Sequence, residues 1–258
     1  MLLGTVHAGL RRFYPLPDPV EREFAAARRL LVEIDTPARA EEIRAAARGY
    51  ALLPEGTTLQ DLLRPETMGA LRRAFHGKPW ALREVQRLQP WALALLLPNA
   101  DDIVLDADPR DGVDLHLIRR ARTRGLPVIE LETPAAQVRA FAGGPLAEQE
   151  AALALRLAQR ESWDRSFVRI VDAWRSGDLI ALAALKDHAY PPVGPLADLR
   201  RRLFAERDAA IAVRLADALE DPVPGLATIG TLHLAGPDAL QIELERLGVR
   251  TTLLAGAA

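Results

Sequence analysis

Two histidines stand in copies of one short motif at opposite ends of the chain. Gly4-Thr5-Val6-His7-Ala8-Gly9 recurs as Gly230-Thr231-Leu232-His233-Leu234-Ala235-Gly236. With only 5 histidines in 258 residues, composition predicts well under about one chance copy of such a tetrapeptide. Each copy closes an apolar run and leads into a glycine-containing loop. In an open α/β sheet that is where ligands bind, because the loops beyond the strand ends leave a crevice. A ring nitrogen placed there can ligate a metal or move a proton. The glycine three residues earlier allows close approach beneath the ring. A single histidine at a strand end would more often cap the strand by hydrogen bonding; the duplication argues for a paired role.

Carboxylates and an arginine fall at related places. Glu33 and Glu132 each stand at the end of an apolar run, and the strand carrying Glu33 is expected beside the first strand, so that both tips share one sheet edge. Either could instead be a solvated strand-end acid. Glu206 and Arg207 lie in a helix rich in charge, with Arg200, Arg201 and Arg202 just before them, and taken alone they read as a solvated face. Asp114 follows Gly112-Val113 as a helix cap. His76, His116 and His188 read as surface or capping residues.

Composition narrows the chemistry further. The chain has no cysteine, which excludes a thiol nucleophile, a Cys-ligated zinc and an iron–sulfur cluster. Thirty-three basic against 35 acidic side chains give a net charge of -2, which argues against a nucleic-acid binder. There is no Gly-rich phosphate loop, His-Glu-x-x-His helix or Gly-x-Ser-x-Gly elbow. Ser162, Ser166 and Ser176 all fall in helical tracts, which disfavours a serine triad. The longest apolar stretch, Trp91 to Pro98, is far too short to span a bilayer. Met1-Leu2-Leu3 runs directly into Gly4-Thr5 without signal-peptide features. The default location is therefore cytoplasmic, or exported if the start has been trimmed. Oligomeric state is left open.

The elements that must position these groups follow from the periodicity. Strands are expected before His7, over Arg29–Asp35, over Leu126–Glu132, over Leu226–His233 and over Val249–Leu254. Helices are expected over Pro19–Arg28, Pro37–Pro54 (closed by Gly49), Pro65–Leu97 with breaks at His76–Pro79 and Pro90, and Val113–Arg124. Further helices are expected over Pro145–Leu185 with a break at Gly177-Asp178, over Leu196–Leu219 and over Asp238–Leu247. Thr58 with Asp61 reads as a capping box, and Asp106–Gly112 as turn. The fold class is α/β with α+β-like character: one domain over residues 1–258, its central sheet built from both chain ends. The middle, about 37–125 and 145–220, is mainly helical.

These features together resemble the TraB/GumN family, which is related to the Tiki metalloproteases. The resemblance runs in order through Leu-Gly-Thr-Val-His with Tyr14-Pro15-Leu16-Pro17, Val32-Glu33-Ile34-Asp35, Leu53-Pro54-Glu55-Gly56-Thr57-Thr58-Leu59 and Pro90-Trp91-Ala92. It continues through Gly112-Val113-Asp114, Leu131-Glu132-Thr133 with Gln137, Glu206-Arg207, and Gly230 to Gly236. Asp208 departs from the asparagine common in the family after the Glu-Arg pair. The resemblance implies a metal-dependent hydrolase acting on peptide bonds. His7 and His233 would hold a divalent ion, with Glu33 as third ligand or general base. The ligand types do not distinguish zinc, manganese and cobalt. Glu132 would act as acid/base or would hold Arg207 or a ligating histidine. Arg207 becomes a candidate to stabilise an oxyanion, and Glu206 an acid/base or a metal-side carboxylate. The alternative is a protein that binds or sequesters a peptide or small ligand in the same cleft without turnover.

Overall fold

Among the described residues four short strands carry the fold: β1 (Leu2–Thr5), β2 (Arg29–Val32), β3 (Val128–Glu130) and β4 (Gly225–Gly230). They pair in parallel in the order β1-β4-β2-β3. The structure is a computed structural model that describes residues 1–97 and 108–254. Pro98 and Asp106, which close and open two segments expected from sequence, lie outside the described residues. Because every strand runs the same way, all four carboxyl ends lie at one edge. Thr5 pairs with Gly230, and Val32 sits between Thr228 and Glu130. The sheet thus joins both chain ends, as expected. Its order differs in one respect: β4 lies between β1 and β2, so the strands leading to His7 and Glu33 are not neighbours.

Both faces of the sheet are covered, which explains why the strands read as continuous apolar runs rather than as alternations. On one face Leu30, Val32 and Leu226 pack with Phe24, Val113, Leu117 and Ile118. On the other, Leu31, Ala227 and Ile229 pack with Ile211, Leu240 and Leu244. Parallel neighbours require crossover connections, and helices supply them: Asp18–Ala26, Val113–Thr123 and Arg207–Glu220, while Leu240–Arg246 packs on the sheet after β4.

The middle is helical as expected. Pro65–Ala74, Pro79–Val85 and Pro90–Leu96 each start at a proline, where the missing N–H costs nothing. The Thr58 N–H donates to the Asp61 carboxylate at 2.9 Å, completing the box. The helix expected to close at Gly49 continues to Ala51. The long tract divides into Leu146–Gln159, Trp163–Ser176 and Leu179–Ala189. No described helix is long and apolar enough to cross a membrane.

The expected last strand, Val249–Leu254, does not form. Gly248 adopts φ 81° and the Val249 N–H donates to Leu244 O at 2.9 Å, so this backbone terminates the preceding helix. Leu253 and Leu254 are exposed beyond it.

Candidate functional site

At the carboxyl edge of the sheet, β1 and β4 each carry one Gly-Thr-x-His copy. The glycines have distinct reasons to lack a side chain. A Cβ on Gly4 would lie 2.9 Å from Thr231 Oγ1 and 3.3 Å from Thr231 Cα, so the first copy is packed against the second. A Cβ on Gly230 would lie 3.2 Å from Glu33 Oε1, 3.3 Å from His7 Nε2 and 3.6 Å from His233 Cδ2. That single position brings both histidines and Glu33 together. Further out, Gly112 lies so near the His7 carbonyl that a Cβ there would stand 2.3 Å from its oxygen, which seats the helix Val113–Thr123 beside His7.

Arg207 is at the centre of this group. Its Nε donates to Glu132 Oε1 at 2.7 Å, and its Nη2 donates to Glu132 Oε2 and to Glu33 Oε2, each at 2.7 Å. Nη1 donates to Leu203 O at 3.1 Å and to His233 Nε2 at 3.2 Å. A guanidinium has five N–H donors, and all five are engaged. Burial opposes the Arg207 charge, but Glu132, Glu33 and Asp208 outweigh it and hold its pKa above the ordinary arginine range. Glu132 therefore takes the arginine-holding role among those expected, and an oxyanion role for Arg207 would require one of these five bonds to break.

The bond from Arg207 also fixes His233. An arginine only donates, so His233 Nε2 must accept; its proton is then on Nδ1, 2.5 Å from Asp208 Oδ1. Asp208 is fully buried, and burial raises its carboxyl pKa despite that hydrogen bond. Phe204 packs against the His233 ring with centroids 5.0 Å apart. His7 is different. Its side chain is 70% exposed, its Nδ1 lies 3.3 Å from Asp114 Oδ1, and its Nε2 has no hydrogen-bond partner among the described residues. Desolvation in the cleft opposes charge on this ring. Asp114, through its hydrogen bond and charge, and then Glu33 raise the His7 pKa to about 9. Burial likewise opposes the Glu33 charge. His7, Arg207 and the Gly230 N–H, which donates to Oε1 at 2.5 Å, outweigh burial and hold Glu33 below the usual carboxylate range.

An open cleft of about 390 Å³ borders His7 and Glu33, with Thr36, Asp114, Leu115 and Gln137 among its walls. Of the residues singled out in the sequence, His7, Glu33, Glu132, Arg207 and His233 converge at this sheet edge, and His7 and Glu33 border the cleft. Glu206 does not: half-exposed, it pairs with Arg201. The reason is a π-helical stretch, Arg202–Glu206, that precedes Arg207. Such insertions shift the phase of a helix, and here Arg207 and Asp208 both face inward while Glu206 faces solvent. Asp114 is a partner of His7 as well as a first-turn helix residue, and Asp208 is the partner of His233. Reading strands and motifs alone missed both partnerships. The signals available were the place of Asp114 in the Gly112-Val113-Asp114 segment and the charge of Asp208 directly after Arg207. Of the remaining histidines, His116 stacks on Tyr14 at 3.7 Å, and His76 and His188 are exposed.

The donor set does not fit a divalent ion as arranged. His233 Nε2 faces Arg207 rather than open space, and both Glu132 oxygens and Glu33 Oε2 are bonded to the same guanidinium. Among the described residues no group of three or more histidine or carboxylate side chains is placed to hold a metal.

The sequence profile described as the TraB/PrgY/gumN family matches residues 1–252. The chain is 27% identical over 133 residues to "Uncharacterized protein YbaP" of Escherichia coli (strain K12), covering 51% of this chain and 47% of that protein. It has the same similarity to the protein of that name from Shigella flexneri. The chain thus spans about half the length of these curated relatives. No solved structure matches.

Proposed function

The chain belongs to the TraB/PrgY/gumN family, and from the geometry at its sheet edge we propose that it is a hydrolase acting on the acyl–nitrogen bond of a peptide. The observation that carries this reading is the placement of Glu33 Oε1 and His7 Nε2 on the same side of Gly230, beside an open cleft. Their surroundings push the two groups apart in acidity, Glu33 below the usual carboxylate range and His7 up to about 9. A pair separated in this way divides into a base and an acid. The Glu33 carboxylate takes a proton from water as the water oxygen bonds to the carbonyl carbon. His7 Nε2–H gives its proton to the leaving nitrogen as the carbon–nitrogen bond breaks. The proton on Glu33 then passes back to His7, and the products are an acid and an amine. Asp114 orients the His7 ring, and Arg207 and Glu132 hold Glu33 in place.

The test is a peptide-library cleavage assay on the wild type, His7→Ala and Glu33→Gln, with metal content measured alongside. Cleavage that falls at least about 100-fold in both variants supports the reading. Cleavage that survives both substitutions overturns it. Peptide binding in the cleft with no turnover under any condition assigns the site to sequestration instead.

A further inference from the structure

We propose that the Arg207 guanidinium is the resident cation of this site, standing where a divalent ion would stand, so that the native chain binds no ion there. The proposal concerns the site assigned to hydrolysis above, but metal binding alone tests it, whatever the site cleaves.

Its first support is the donor geometry. His233 Nε2 has a single lone pair and gives it to Arg207, and the same guanidinium occupies both Glu132 oxygens and Glu33 Oε2, so a metal between the three side chains would have to displace it. Its fifth N–H goes to Leu203 O, so the side chain cannot rotate away without abandoning every bond at once. Second, the guanidinium is buried: only 10% of the Arg207 side chain is exposed, against 10% for Glu33 and 4% for Glu132. Two carboxylates buried together need a positive partner, and this one is covalently part of the chain. Third, arginine stays protonated under all working conditions, and its planar fork matches carboxylates bidentately in a way an ion does not. The Asp208–His233 pair completes the arrangement, because it keeps the His233 proton on Nδ1 and so presents a lone pair to Arg207.

Removing the guanidinium should therefore convert the site. In Arg207→Ala, Glu33, Glu132 and His233 are left with open donors around the vacated volume, with His7 at its rim, a set of the oxygen and imidazole type that zinc and manganese accept. Titration calorimetry with Zn²⁺ and Mn²⁺ separately, on the full chain, decides the matter. The expected result is one ion per chain in Arg207→Ala, bound at least about tenfold tighter than by the wild type, and lost again in Arg207→Ala/Glu33→Gln. One equivalent of ion bound by the wild type and lost in Glu33→Gln overturns the proposal. So does a folded Arg207→Ala, judged by circular dichroism, that gains no affinity. If Arg207→Ala does not fold, the thermal midpoint of the wild type decides instead. A midpoint indifferent to chelator and to added Zn²⁺ or Mn²⁺ supports an internal cation. A rise with metal that Glu33→Gln abolishes overturns it, because any ion bound only to the native state must stabilise that state.

Discussion

The two Gly-Thr-x-His copies have the same residue types and opposite environments. His233 is 6% exposed and both its ring nitrogens are occupied, by Asp208 and Arg207. His7 has a 70% exposed side chain, one ring nitrogen near Asp114 and the other directed toward the cleft. The difference arises from sheet position. β4 is central, flanked by β1 and β2, and the residues after it turn as Thr231–Leu234, where Arg207 and Asp208 bond the His233 ring. β1 is an edge strand, and its extension through His7 meets the start of the helix Val113–Thr123. The same motif thus supplies a scaffold histidine at the centre of the sheet and a chemically available one at its margin.

The largest expected effects separate these two roles. His7→Ala removes an exposed ring whose attraction to Asp114 is screened by solvent, so stability should fall by no more than about 1 kcal/mol, while peptide cleavage falls at least about 100-fold. His233→Ala leaves the buried Asp208 carboxylate and one Arg207 N–H without partners. Its stability should drop by about 3 kcal/mol, near 10 °C in thermal midpoint for a chain of this size. Thermal melts and cleavage rates on the two variants measure both quantities. A stable His233→Ala, or a strongly destabilised His7→Ala, would break the contrast.

Much of this arrangement was legible in the sequence. Four of five expected strands formed, because apolar runs bounded by glycine and charge encode buried parallel strands well. The strand order was not legible, since β2 pairs with β4 through backbone bonds that leave no mark on side-chain pattern. The duplicated motif identified both histidines, and strand-end placement identified Glu33 and Glu132. What stayed hidden was how Arg207 enters the site. A π-helical stretch leaves no periodic signature in five residues, so Glu206 read as well as Arg207 did. The environment of each histidine was hidden for the same kind of reason, because it depends on which strand is central.

The glycines of the two motifs offer a smaller and more local comparison. Gly4→Ala puts a methyl against the backbone and hydroxyl of Thr231, an overpacking that should cost about 1–3 kcal/mol. Gly230→Ala puts its methyl between Glu33 Oε1 and His7 Nε2. Of those two neighbours, His7 is exposed and has room to yield, so stability should fall less than in Gly4→Ala. Cleavage should fall more, because the methyl separates the acid from the base. Melts and rates measured on both variants decide it, and equal losses of cleavage in the two would mean that the wedge between Glu33 and His7 is not what matters.

Acid should loosen the loop that follows the second motif. The loop after His233 is tied by Lys186 Nζ, which donates to Ala235 O at 3.1 Å and to Asp238 Oδ1 at 2.8 Å. Burial opposes the Asp238 charge, but Lys186 and then Arg200 outweigh it and hold its pKa below the usual carboxylate value. A carboxyl depressed in the folded state contributes stability that is present above its unfolded pKa of about 3.9 and is lost as pH falls through the folded value. Asp238→Asn should therefore lower the thermal midpoint at pH 7, and the gap to wild type should close below about pH 4. A gap that is constant from pH 7 to pH 3 would show that the ion pair is not its source.

The smallest expected effect tests the boundary of the site. Glu206 and Arg207 are adjacent in sequence, yet Glu206 pairs with Arg201 at the surface, where both side chains are more than half exposed. Exposed pairs of this kind are worth little, because solvent screens the attraction and holding two long side chains together costs entropy. Glu206→Gln should change stability by less than about 0.5 kcal/mol and leave cleavage unchanged. Glu132→Gln should lower both, because it weakens the bidentate bond to Arg207 and so the support of Glu33. If Glu206→Gln lowered cleavage as Glu132→Gln does, the π-helical stretch would have to present Glu206 to the cleft in the working protein, and the division between the inward Arg207 and the outward Glu206 would fail.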